Sequence, residues 1–196
     1  MSRLQSADTP TERKAISLCW LLHVVGDIHQ PLHAVILIAS KNTFDPPFPP
    51  PDGDDGGNRL AIKVKPGDET AMILHFFWDS LLFSEEPTFS RVDEVVMGWL
   101  KDAKYKRDQL PELKESGYLT WAEESLSLCK TVVYKGGDGF LQARALPAGK
   151  VNLKGLTAPA LPDGYQQTAE KVAARRMVVA GYRLADQLQC ALRDDK

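Results

Sequence analysis

The sequence has few cysteines and no long hydrophobic run, and each scarcity excludes a class of protein. Three cysteines in 196 residues, with no Cys-x-x-Cys pair, do not make a disulfide framework, so we expect three buried thiols. No apolar run approaches the roughly 20 residues that span a bilayer. The first residues also lack the apolar segment of a secretory signal peptide. We therefore expect no membrane association and no leader in this chain.

An excess of one charge is also missing, because 24 basic and 26 acidic residues leave a formal net charge of −2. A chain with this charge has no general attraction for nucleic acid. Binding of a polyanion would therefore need a local cation, from side chains or from a metal ion. The length and the hydrophobic content of 43% suit one globular domain, and no repeat or linker divides the chain. We treat residues 1–196 as a single domain.

Helical patterns dominate the sequence and predict an all-α fold. Thr9-Pro10-Thr11-Glu12 has the pattern of a helix start, and apolar residues continue at helical spacing to about Asp27. Pro31 must interrupt this helix, because its ring removes a backbone N–H donor. Further helices are predicted at about 68–83, 90–108 and 120–135, with a last long helix after Asp163.

Two segments depart from the helical pattern. Residues 39–58 are rich in proline and glycine and predict a long loop, which in a compact domain is usually functional or mobile. The segment RLAIKVKP that follows alternates in polarity like a short strand or hairpin arm. The expected architecture is therefore helical, with one long loop and little strand.

Three of the four histidines lie within the stretch LLHVVGDIHQPLHAV. His23 and Asp27 are four residues apart, so on a helix they share a face and can bind one metal ion. The stretch ILHFFWDSL repeats this spacing with His75 and Asp79. A histidine among apolar residues is more often a core residue with a satisfied hydrogen bond. Two such pairs nevertheless favour a metal site.

His33 adds a third imidazole just after the kink at Pro31. Nitrogen and oxygen ligands without thiolate fit a catalytic zinc ion. Burial of Asp27 and Asp79 would cost several kcal/mol, and neither has a Lys or Arg three or four residues away. A divalent cation would offset that cost. His29 lies on another face of the helix and is expected at the rim of the site or behind the ligands.

Five motifs together carry a resemblance to a known family. They are HVVGDIHQPLHA, GDDGGN and LHFFWD, followed by TWAEESLSLCKTVVY and AGYRLADQL. The residues of these motifs and the order of the motifs along the chain resemble those of the S1/P1 nuclease family, a branch of the zinc phospholipase C superfamily. The resemblance implies a mostly helical fold that hydrolyses single-stranded DNA, RNA and 3′-nucleotides with three zinc ions. It also implies that Asn58 lines the nucleotide pocket, although a turn residue with positive φ is an equal alternative.

The resemblance also implies how the ligands divide between the zinc ions. His23 and Asp27 would serve a pair of zinc ions, with Asp27 bridging them, and we assign Asp27 as catalytic on this ground. His33, His75 and Asp79 would hold the third zinc and leave a position open for water or phosphate. The bound cluster activates a water molecule and stabilises charge on the phosphate.

One departure from the family pattern limits these expectations. Family members carry further zinc ligands upstream of the kinked helix, whereas the four histidines of this chain are all accounted for. We therefore expect fewer than three zinc ions, a missing N-terminal segment and weak activity of the chain alone. Two alternatives are a phospholipase C-like phosphodiesterase and a non-catalytic metal-binding helical remnant. Export of family members implies a secreted or periplasmic protein, although this chain carries no signal peptide.

Overall fold

Helices form the framework of the protein. The structure, a computed structural model, describes residues 4, 6, 8–83 and 87–192. Within these residues six α-helices occur: α1 (Thr11–Asp27), α2 (Pro31–Ala34), α3 (Leu74–Asp79), α4 (Phe89–Lys101), α5 (Tyr118–Leu128) and α6 (Tyr165–Leu192). A π-helical segment, Cys129–Val133, continues α5, and three short 3₁₀ helices connect α4 to α5: Ala103–Tyr105, Arg107–Gln109 and Pro111–Lys114. The predicted all-α class is confirmed.

The strands are short and form two small sheets. In chain order they are β1 (Leu60–Ile62), β2 (Met72–Ile73), β3 (Lys135–Gly136), β4 (Gly139–Phe140) and β5 (Arg144–Ala145). β1 is the central strand of the larger sheet and pairs antiparallel with β2 and β5, while β3 and β4 form a hairpin. The strand predicted in RLAIKVKP is β1, which is buried along its whole length.

The kink at Pro31 is where the sequence predicts it. α1 ends at Asp27, and α2 begins at Pro31, whose missing N–H costs nothing in the first turn of a helix. The backbone N–H of Gln30 donates to the carbonyl of Asp27 at 3.0 Å, so a tight turn joins the two helices. This turn changes the chain direction and brings His33 to the end of α1.

Several predicted boundaries and one burial prediction are wrong. The helix predicted over 68–83 shortens to α3, because its first part pairs with β1 as β2. α4 is capped by Thr88, whose hydroxyl accepts from the backbone N–H of Arg91.

The prediction of three buried thiols is also wrong, because only Cys129 is buried, whereas Cys19 and Cys190 are exposed. No helix in the described ranges is long and apolar enough to cross a membrane.

The long Pro/Gly-rich loop is fixed to the core by a buried aspartate. The Asp54 carboxylate accepts hydrogen bonds from the backbone N–H of Leu37 at 2.8 Å and from the hydroxyl of Tyr134 at 2.7 Å. Burial raises the pKa of Asp54, and these bonds partly offset that effect. The residues that follow Asp54 are thereby held against α2 and α3.

α3, which contains the predicted ligands His75 and Asp79, is fixed by hydrogen bonds between buried aromatic side chains and the core. Trp78 is buried, and its indole N–H donates to the hydroxyl of Tyr165 at 3.2 Å. The Tyr165 hydroxyl in turn donates to the carbonyl of Val133 at 2.6 Å. These bonds join α3, the start of α6 and the π-helical segment. The position of Asp79, the next residue after Trp78, is therefore set by the core.

α1 leaves most of its apolar side chains in solvent, although it packs along α6. Val25 is its buried residue, whereas Ile16, Trp20, Leu22 and Val24 are between 42% and 61% exposed. Burial of such a side chain contributes about 1.5–3 kcal/mol, so their exposure forgoes stabilisation. Ile16, Trp20 and Val24 are spaced four residues apart, so they lie on one side of the helix, whereas Leu22 lies on another. We call Ile16, Trp20 and Val24 the apolar face of α1.

Candidate metal centre

Four predicted site residues meet where α1, α2 and α3 come together. His33 lies in the middle, with Nδ1 3.3 Å from Asp27 Oδ1 and Nε2 3.1 Å from Asp79 Oδ1. His75 Nε2 lies 3.4 Å from Asp79 Oδ2. The rings of His33 and His75 stack, with centroids 4.9 Å apart and planes 8° from parallel. The kink after α1 and the i, i+4 pair on α3 therefore bring two imidazoles and two carboxylates to one place.

The ring of His75 is oriented by the long loop. Its Nδ1 lies 2.7 Å from the carbonyl oxygen of Gly56, an acceptor, so Nδ1 carries the proton. Nε2 faces Asp79 and is the ring nitrogen that could bind a metal ion. A histidine that donates one ring N–H to a carbonyl and presents the other nitrogen is the usual arrangement at metal sites.

The charges of the site favour a positive group at its centre. The hydrogen bond to Asp79 raises the pKa of His33, and the bond to Asp27 adds to the effect. Burial alone would raise the pKa of Asp79, but hydrogen bonds from His33 and Gln30 hold it below its ordinary value. The His33 ring lies between two carboxylates, and a divalent cation would compete with a proton for the Nε2 lone pair.

The donor set of His33, His75 and Asp79 fits a zinc ion. One ligand atom from each lies within 4.8 Å of the others. Zinc with bonds of 2.0–2.2 Å in a tetrahedron places its ligand atoms about 3.4 Å apart. His33 Nε2 lies 3.1 Å from Asp79 Oδ1, which is close to that value, while His75 Nε2 lies 3.4 Å from the other oxygen, Oδ2. Three protein ligands of nitrogen and oxygen leave a fourth position open, as in catalytic zinc sites.

His23 and Asp27 face each other but form a poorer donor set. His23 Nε2 lies 3.1 Å from Asp27 Oδ2, and the His23 side chain is 64% exposed. Its ring meets that of Trp20 edge-on, at 6.1 Å between centroids. Among the described residues no third His, Cys, Asp or Glu joins this pair in a group that could hold a metal ion. Asp27 nevertheless connects the pair to His33 through its other oxygen.

The two aspartates are not buried, contrary to the expectation. The side chains of Asp27 and Asp79 are 40% and 39% exposed, because both stand at the ends of helices that open to solvent. Each is also paired with histidine. The cost of a buried, unpaired carboxylate therefore does not argue for a metal ion here, and the argument depends on the convergence of the donors.

Asn58 lines the same cavity as the predicted ligands. This cavity of about 480 Å³ is bounded by Asp27, His33, His75 and Asn58, together with backbone of the long loop. The Asn58 side-chain amide donates to the carbonyl of Asp55 at 2.9 Å. The alternative of a positive φ at Asn58 is wrong, because the positive φ angles of this turn occur at the three preceding residues, 55–57.

His29 lies behind the site and is not placed to bind a metal. It is 2% exposed, and its Nδ1 lies 2.7 Å from the carbonyl of Val25. Arg183 donates to its Nε2 at 2.8 Å, so both ring nitrogens are engaged. Burial, together with the charge of Arg176, lowers the pKa of His29 to about 4. The ring is therefore neutral and belongs to the core.

Sequence reasoning missed the residues that hold the site from behind. Gln30 donates to Asp79, and buried Arg176 and Arg183 both bind Glu124. Gln30 immediately precedes Pro31, and proline is common at the first position of a helix, so the sequence could have predicted Gln30 as the N-cap of α2. The spacing of seven residues between the arginines places them on one face of α6, but their partner is more than fifty positions away.

Gly56 is required where the long loop approaches α2, and we expect Gly56→Ala to damage both stability and the site. Its φ is +58°, and a Cβ there would lie 2.5 Å from the carbonyl oxygen of Leu32. We expect a loss of about 2–4 kcal/mol from the left-handed conformation plus the clash. Thermal unfolding measures the first effect and zinc affinity the second.

Gly137→Ala is the matched control for this substitution. Its φ is +60°, but nothing lies within 4 Å of the added Cβ. We expect it to cost only about 1–2 kcal/mol and to leave zinc affinity unchanged. Equal losses of stability in the two variants would show that the close approach of Gly56 to Leu32 does not matter.

Comparison with known proteins assigns the family. The family model described as S1/P1 Nuclease matches residues 1–193, nearly the whole chain. No curated protein and no solved structure matches the chain. This family description supports a nuclease, a hydrolase that acts on phosphodiester bonds. The resemblance drawn from the motifs is thereby confirmed, and the chain belongs to the S1/P1 nuclease family.

Proposed function

We propose that this protein is a zinc-dependent phosphodiesterase that acts on single-stranded DNA, RNA and 3′-nucleotides. The observation that carries the proposal is the convergence of His33, His75 and Asp79 in a chain of the S1/P1 nuclease family. Zinc bound to these residues would activate a water molecule and stabilise negative charge on the phosphate. Zinc would supply positive charge in the cavity that contains Asn58, because none of its described lining residues is a Lys or Arg.

The residues of the chain divide the work of holding metal and substrate. His33, His75 and Asp79 hold one zinc ion, and the Gly56 carbonyl keeps the lone pair of His75 directed at it. Asp27 stands between His23 and His33, a place from which its two oxygens can serve two ions. Asn58, on the wall of the same cavity, contacts the nucleotide.

A further segment of polypeptide completes the site in this proposal. His23 and Asp27 are two ligands without a third in the described part of the chain, and the apolar face of α1 begins beside them, where the ring of Trp20 meets that of His23. A segment that covers this face would bury apolar surface and bring additional ligands to His23. The chain alone would then bind fewer than three zinc ions and hydrolyse its substrate weakly. The family supports a secreted or periplasmic location.

Two other functions use the same ligands. A phospholipase C-like phosphodiesterase would need a lipid headgroup in the cavity, whereas the position of Asn58 favours a nucleotide. A non-catalytic metal-binding remnant would retain the site of His33, His75 and Asp79 without turnover. Cleavage of a phospholipid would distinguish the first alternative from a nuclease, and the absence of hydrolysis would distinguish the second.

Zinc titration and hydrolysis by the same preparation test the proposal. We expect calorimetry to show one tight zinc site, from the three-residue donor set, and at most weak occupancy at His23 and Asp27. We expect slow release of acid-soluble nucleotide from single-stranded DNA and of phosphate from 3′-AMP, both abolished by a chelator. A water-soluble phosphatidylcholine is the control substrate and should not be cleaved.

Each readout can contradict a different part of the proposal. Three tight zinc ions in the chain alone would show that no further segment is needed. A chelator-insensitive rate would exclude the zinc mechanism. Tight zinc binding without any hydrolysis would favour the remnant, and cleavage of the phospholipid would favour the phospholipase alternative.

A further inference from the structure

We infer that Gln30 is the positioning residue of the metal centre, and that a buried polar network fixes the turn that carries it. The inference rests on the proposed function, because it concerns the same donor set. It assigns a role to residues that contact no substrate and that act only through Asp79 and His33.

Gln30 connects the two elements that supply the zinc ligands. Its side-chain Nε2 donates to Asp79 Oδ1 at 2.9 Å, at the end of α3. Its side-chain Oε1 accepts from the backbone N–H of Leu32 and so caps α2, the four-residue helix that carries His33. A helix this short has no stability of its own. One amide group therefore orders α2 and orients the carboxylate that His33 and His75 face.

The turn before Gln30 is attached to the core through its backbone carbonyls. Ser125 donates its hydroxyl to the carbonyl of Ile28 at 2.7 Å, and Arg176 donates Nε to the carbonyl of His29 at 3.1 Å. Arg176 also donates to the Ser125 hydroxyl at 3.0 Å, so the two donors support each other. We call these two residues the anchor pair. Both are buried.

The anchor pair leaves the turn little freedom. Buried carbonyls that lose their donors would each cost about 1–3 kcal/mol, so the backbone of the turn stays in place. Gln30 then projects from a fixed point toward Asp79. The donors of His33 and Asp79 are consequently held near zinc-like separations by protein contacts, and ordering them is not left to the metal.

Gln30→Ala tests the inference with two readouts in the full chain. Without the cap, we expect the backbone N–H of Leu32 to exchange with solvent at least tenfold faster, because no other hydrogen bond holds it among the described contacts. This is measured by NMR hydrogen exchange and needs no zinc. Without the bond to Asp79, we expect zinc affinity to fall about 10–100-fold, as for other residues that orient metal ligands. Competition with a chromophoric chelator measures it.

Two further variants control the test. Gln142→Ala removes an exposed glutamine far from α2 in the chain, whose side chain makes one long hydrogen bond of 3.5 Å, and should change neither readout. Ser125→Ala weakens the anchor pair without touching a predicted ligand, and should lower zinc affinity by a smaller factor while Leu32 keeps part of its protection. Thermal unfolding of each variant excludes global unfolding as the cause.

The outcomes separate the inference from the proposed function. If the wild-type chain binds zinc tightly and Gln30→Ala binds it equally well, the positioning role is wrong and the metal site stands. If wild type binds no zinc, the proposed function fails, and the exchange of Leu32 still decides whether Gln30 caps α2. Unchanged exchange at Leu32 would overturn the inference by itself.

Discussion

Replacement of Asp79 by alanine is expected to abolish tight zinc binding and to lower zinc-dependent hydrolysis about a thousandfold. Asp79 is the residue on which the site converges, because His33, His75 and Gln30 all face its carboxylate. Its loss leaves two imidazoles, too few to hold a catalytic zinc ion. Loss of the metal removes several kcal/mol of transition-state stabilisation, and each 1.36 kcal/mol is about tenfold in rate.

The stability of the folded chain should change little in this variant. The Asp79 side chain is 39% exposed, so alanine leaves no buried charge unpaired and no large cavity. Asp138→Ala is the matched control, since Asp138 is exposed on the turn between β3 and β4. It should keep zinc affinity and rate. Wild-type zinc affinity in Asp79→Ala would remove this residue from the metal site.

The fold was predictable where one local rule decides the conformation. Pro31 ends α1 because it has no N–H to donate, and this rule does not depend on the rest of the chain. The 68–83 region is different, because periodicity alone suggested one helix there. Its first residues instead pair with β1, a long-range contact that local patterns do not encode.

The candidate site was predictable to the extent that helical spacing fixes geometry. His75 and Asp79 face each other because they are four residues apart on α3. The position of His33 between Asp27 and Asp79 depends on the turn after α1, and the sequence indicates only that a turn exists. The orientation of His75 depends on the carbonyl of Gly56, and a backbone acceptor leaves no mark in a motif.

The charged groups behind the site show a further limit of sequence reading. Arg176 and Arg183 stand in a helix with several other charged residues, and nothing in the sequence pattern indicates that either is buried. In the structure both guanidinium groups are buried and converge on Glu124 of α5. Charge alone does not distinguish a surface arginine from a buried one, because the difference is a partner that is distant in sequence.

Glu124→Ala is expected to cost the largest amount of stability of any single substitution considered. Glu124 accepts two hydrogen bonds from Arg183, both at 2.7 Å, and one from Arg176. Alanine would leave two buried guanidinium groups without their carboxylate. Removal of one partner from a buried ion pair costs about 3–5 kcal/mol. In a chain of this size, that corresponds to a fall in Tm of roughly 6–20 °C.

Acid dependence and a matched control identify the cause of this loss. Burial alone would raise the pKa of Glu124, but hydrogen bonds from Arg183 and Arg176 hold it below its ordinary value. The stabilisation is therefore present above the unfolded pKa of about 4.3 and is lost as the pH falls through the folded pKa. The Tm difference between wild type and Glu124→Ala should shrink in that range.

Glu94→Ala is the matched control. It removes an exposed carboxylate paired with Arg91 and should cost less than about 1 kcal/mol. A loss from Glu124→Ala no larger than that from Glu94→Ala would show that the buried arginines do not depend on this carboxylate.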